Sequence, residues 1–158
     1  MGAGMKTRTW AAPRVAYLLT AAMADHTEHV GVIVPSDDMS TEWGGYDESE
    51  QQDILAALGA QTRLALRMLH DKLGVEIEMD WNATARIVCS EALAAARQLI
   101  KSDPGTWVAP QCTHCREVIA KAMCSLQIQA YFRLGFTPAM IATMCRQSAD
   151  EDQEPARH

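Results

Sequence analysis

The chain has 158 residues and a formal net charge of −6, with 48% hydrophobic and 22% charged residues. That is enough length for one domain with its own core, and no run approaches the roughly 20 apolar residues a membrane helix requires. A globally acidic chain is also a poor generic binder of nucleic acid, because that affinity comes largely from neutralised phosphates.

The charge is unevenly distributed. Residues 1–80 carry a net of −7, residues 81–149 a net of +4, and residues 150–158 a net of −3. Five cysteines form no framework spacing, which speaks for reduced thiols and a cytoplasmic location rather than a secreted disulfide scaffold.

In chain order, "RVAYLLTAAMA" (14–24) reads as a helix with Pro13 at its first turn, where the missing N–H costs nothing. The basic N-terminus followed by a short apolar stretch has the outline of a leader. Asp25 and His26 cut that stretch short, so an amphipathic helix is expected instead. "DHTEH" follows, and His26 and His29 share a helical face, which makes them candidate metal ligands with His70 as a third imidazole. A polar helix end, with histidine suiting the dipole, explains the same residues.

"HVGVIVPS" is rich in β-branched residues, and "VEIEMDW" alternates apolar and acidic ones. A short two-stranded element pairing 30–34 with 75–79 is therefore expected. Between them, 36–52 reads as an exposed acidic loop carrying Asp37, Asp38, Glu42 and the aromatics Trp43 and Tyr46, candidate contacts for a protein partner. Asp47 or Ser49 can cap the helix that follows, "EQQDILAALGAQTRLALRMLHDKLG", which puts Ile54, Leu58, Leu64/Ala65, Met68/Leu69 and Leu73 on one face and stops at Gly74.

"NATARIVCSEALAAARQLIK" is a further helix broken by "SDPG", with Cys89 as a small core residue. "REVIAKAMCSLQIQAYFRL" is a long one with Ile119, Met123, Leu126, Ala130 and Leu134 in a stripe. The last, "TPAMIATMCRQS", has Thr137 as cap and Pro138 at its first position. The expected architecture is mainly α: a single domain over 1–150 with four to five helices, followed by an acidic disordered tail at 151–158.

The chemistry worth weighing is the Cys-x-x-Cys of "APQCTHCRE". Cys112 and Cys115 supply half of a zinc site, but Cys124 lies nine residues beyond Cys115, half a turn out of phase on a continuous helix. The stretch also resembles the active-site segment of the thioredoxin superfamily. That resemblance implies Cys112 as nucleophile, Cys115 as resolving thiol and His114 as stabiliser of the thiolate. "FTPAMI" resembles the family's proline segment. The resemblance spans about ten residues, and a helix precedes the motif where the family has a strand. The plainer expectation is that both cysteines lie at a helix start, partly buried without chemistry.

"AYFRLGFTPAMIATMCR" resembles a helix-turn-helix, although Tyr131 stands where a small residue belongs and Arg146 is the one base-reading candidate of its second helix. An antiparallel helical hairpin accounts for it more simply. The functional expectation is a non-enzymatic binding or regulatory protein with a protein partner, with a homo-oligomer as a further option and no cofactor. The alternatives are a thiol–disulfide oxidoreductase or redox sensor at Cys112–Cys115, and a zinc-stabilised or nucleic-acid-associated regulator.

Overall fold

The computed structural model describes residues 2–76, 90–101 and 106–151. They form six helices: α1 (Gly2–Val30), α2 (Asp37–Gly44), α3 (Glu48–Leu73), α4 (Ser90–Lys101), α5 (Thr113–Arg133) and α6 (Pro138–Glu151). The expected mainly α class holds, with more helices than expected. Cys89, residues 77–79 and the tail beyond Glu151 lie outside the described residues.

Helix α5 is the centre of the molecule. Thirteen of its 21 residues are buried, so it is enclosed on all sides rather than amphipathic. It packs against α3 and α4, and α1 lies across it. Ile119, Met123 and Ile128 are fully buried with Leu19 and Met23 of α1 and Ile54, Leu55 and Leu58 of α3. Each such side chain contributes about 1.5–3 kcal/mol on leaving water.

Local chemistry sets the helix ends. Asp47 and Glu50 close a capping box: Glu50 N–H donates to Asp47 Oδ1 at 2.8 Å, and Asp47 N–H donates to Glu50 Oε1 at 3.0 Å. Gly74 ends α3 in the left-handed region at φ 64° and donates its N–H to the His70 carbonyl at 2.8 Å. Gly135, at φ 96°, turns the chain between α5 and α6, and Thr137 Oγ1 accepts the Met140 N–H at 3.2 Å.

Four expectations are corrected. There is no strand among the described residues. Helix α1 runs on to Val30, Gly31 leaves it at φ 82°, and Val32 and Val34 face solvent. With no partner ladder among the described residues, β-branched composition alone does not make a strand. The segment 36–52 is not a loop, because α2 and the first turn of α3 occupy it. Pro13 sits inside α1 rather than at its start, and its carbonyl accepts Gln61 Nε2 at 3.0 Å. Finally, α6 does not fold back on α5 as a hairpin but lies chiefly along α1.

Candidate functional site

An extended segment, 106–112, leads into α5, and three polar side chains hold it in place. Trp107 is the anchor: its ring is buried, and its indole N–H donates to the Ala95 carbonyl of α4 at 3.0 Å. From α3, Gln52 Nε2 donates to the Trp107 carbonyl at 2.8 Å, while its Oε1 accepts the Ala109 N–H at 2.6 Å. One amide side chain thus satisfies the backbone as a neighbouring strand would.

Arg116 holds the rest from below. It is 4% exposed, so its charge needs compensation. Its Nε donates to Gln51 Oε1 at 2.7 Å. Its Nη1 donates to the Pro110 and Gln111 carbonyls at 3.0 and 2.6 Å, and its Nη2 to Thr113 Oγ1 at 3.1 Å. The Glu48 carboxylate lies 3.8 Å away as the counter-charge. Gln51 is itself held by donating to the Trp43 and Tyr46 carbonyls at 3.2 and 3.1 Å. The turn between α2 and α3 is thereby wired, through Gln51 and Arg116, to the backbone just ahead of Cys112.

Cys112 occupies the N-cap of α5, with extended backbone at φ −71° and ψ 121°. Cys115 is then the third helical residue, the position whose N–H and side chain face the cap in a capping box. Cys112 is exposed and Cys115 buried. The Cys112 sulfur closes no full capping hydrogen bond. Even so, the Cys115 N–H, the Cys115 thiol, the His114 N–H and the Arg116 charge together hold its thiol below the ordinary thiol pKa. His114 contributes through its backbone N–H, and its side chain is exposed.

The other described cysteines differ. Burial pushes Cys124 and Cys145 up to about 12. Cys124 points toward α1, where Thr20 Oγ1 donates to its sulfur at 3.5 Å. The helix is continuous from Thr113, so Cys124 is kept apart from the Cys112–Cys115 corner. The expectation that both motif cysteines are partly buried therefore holds for Cys115 and fails for Cys112.

Among the described residues no group of three His, Cys, Asp or Glu side chains is placed to share a metal ion. Asp25, beside His26 and His29, is paired with Arg146 of α6. That pair also occupies the arginine of the helix-turn-helix reading. A groove of about 360 Å3 on the outer face of α6 is lined by Phe136, Met140, Met144 and other residues without a titratable group.

The acidic segment is rearranged. Trp43 is 2% exposed, so it is a core residue and not a docking anchor. Tyr46 is half-buried, and its hydroxyl donates to Glu42 Oε1 at 3.2 Å. Burial, then the Glu42 charge, pushes its pKa up to about 12. Asp37 opens α2, while Asp38 and Glu42 face solvent.

Sequence reasoning missed Arg116, Gln51 and Gln52. A signal for the first was present: an arginine in the first turn of a helix opposes the dipole and needs a reason to be there. The chain matches no family model, no curated protein and no solved structure.

Proposed function

We propose that Cys112 and Cys115 form a redox-active dithiol that exchanges with disulfides of other molecules. The observation that carries this reading is one pairing. An exposed sulfur with a lowered pKa sits at a helix N-terminus, and a buried second sulfur lies within hydrogen-bonding reach of it.

The chemistry runs in two displacements. The Cys112 thiolate attacks one sulfur of a substrate disulfide. A new S–S bond forms to that sulfur, the substrate S–S bond breaks, and the second substrate sulfur leaves as a thiolate that takes a proton from water. Cys115 then gives its proton to water and attacks Cys112 Sγ. The Cys112–Cys115 bond forms, the mixed disulfide breaks, and the first substrate sulfur leaves as a thiolate that takes a proton from water. Two protein thiols are oxidised and one substrate disulfide is reduced. A reducing thiol resets the pair by the reverse exchange, which fits a cytoplasmic location.

The test uses Cys115→Ser and an aromatic disulfide reagent, read on the peptide that contains both positions. The variant stops at a stable mixed disulfide on Cys112. The wild type passes through it and ends as an internal Cys112–Cys115 disulfide. A wild type that also stops at the mixed disulfide overturns the reading.

A second reading, contact with a basic protein partner, is supported by the exposed Asp38 and Glu42 of α2 and by Glu48, whose side chain is 81% exposed. Salt-sensitive binding of a lysine-rich peptide should vanish on reversing the charges of Asp38 and Glu42. Binding that survives the reversal removes this reading.

A further inference from the structure

Among the described residues, the core leaves the outward face of α3 partly open: Asp53, Ala56 and Ala60 are half-buried there, and Leu64 and Arg67 are exposed. Burial of Ile54, Leu58, Thr62, Ala65 and Leu69 turns one side of the helix inward. At about 100° per residue the opposite side is centred on Ala60. Along that line lie Asp53, Ala56, Ala60, Leu64 and Arg67, spanning four turns or roughly 21 Å. The expected apolar face is corrected here: Leu64, Met68 and Leu73 are 59%, 38% and 52% exposed, because Ala65 and Leu69 fill the inward side of the helix instead. A groove of about 260 Å3, lined by Ala60, Arg63, Leu64 and Arg67, runs along the outward side.

We infer that this face joins two copies of the chain, with their α3 helices antiparallel about a two-fold axis at Ala60. Such an axis makes residues equally far before and after Ala60 face each other. Asp53 and Arg67 are each seven residues from Ala60, so Asp53 of one copy meets Arg67 of the other, twice. Ala56 and Leu64 are each four away, so each leucine covers the small residue opposite it.

The charge order selects a second copy over other occupants. The face carries its acid toward the start of the helix and its two arginines toward the end. An antiparallel copy of the same face presents the complementary order in the same register. The alanines at the crossing permit an interaxial distance near 8 Å, the close end of the usual range. This inference does not depend on the dithiol reading.

Sedimentation of the full chain over a concentration series tests it. The wild type associates to a dimer. Leu64→Glu, Asp53→Arg and Arg67→Asp each weaken the dimer at least about tenfold, because each buries or opposes an unpaired charge. The double variant Asp53→Arg/Arg67→Asp recovers it. Recovery in a chain carrying both changes separates a lost contact from a lost fold. A wild type that stays monomeric up to its solubility limit overturns the inference. So does a dimer that the single reversals leave unchanged, or a double variant that does not recover.

Discussion

Arg116 and Gln51 meet in the interior of the protein, with the guanidinium Nε 2.7 Å from the amide oxygen. The contact links the α2–α3 turn to the segment that delivers Cys112. Replacing Gln51 with Leu leaves a buried charged donor without this partner and removes the side-chain donor from the Trp43 and Tyr46 carbonyls. The expected loss is about 2–3 kcal/mol, read as a lower urea midpoint with an unchanged slope. A loss below about 1 kcal/mol contradicts the role given to this contact.

Gly59 of α3 lies against Leu99 of α4. A Cβ at position 59 would stand 2.5 Å from Leu99 Cδ1 and 2.6 Å from its Cγ. Leu99 is fully buried, so it has little room to retreat. Gly59→Ala gains about 1 kcal/mol in helix propensity and loses about 1–3 kcal/mol to overpacking. A net destabilisation is expected, and it should shrink when Leu99→Val is added. A stabilised single variant would show that the two helices move apart freely.

Alkaline pH should destabilise the protein through its buried thiols. Cys124 and Cys145 are both pushed up to about 12 by burial, whereas an unfolded thiol titrates near about 8.5. Folding therefore favours the protonated form. That stability is fully present below about pH 8.5 and is lost as pH rises toward the folded value. Cys124→Ala removes one such proton, so denaturation curves at a series of pH values should show a slope shallower by up to about 1.4 kcal/mol per pH unit. An unchanged slope would mean that the Cys124 thiol titrates normally.

Much of this fold was legible because short-range chemistry wrote it. Asp47 with Glu50, Gly74, Gly135 and Thr137 mark helix ends with the residue types those backbone positions demand. Segment α2 was not legible. Its acids and glycines read as a loop, and it is helical because Met39 and Trp43, four residues apart, drop into the core. The Val30–Val34 run misled for the opposite reason: its local preference is for strand, and no partner ladder is there among the described residues. The cysteine pair could be found from its spacing. Its depressed thiol could not, because that depends first on the Cys115 N–H and thiol reaching the Cys112 sulfur, then on His114 and Arg116, and on which sulfur faces water, and spacing alone fixes none of these.

The central claim is that Cys112 is an activated thiol with Cys115 as its partner. Alkylation of Cys112 by iodoacetamide across a pH series, followed by mass spectrometry, tests this most directly. The rate should turn up at a pH below that of an ordinary thiol and move back up in Cys115→Ala, which loses the sulfur donor. A wild-type inflection at or above the ordinary thiol value, unmoved by Cys115→Ala, would contradict it.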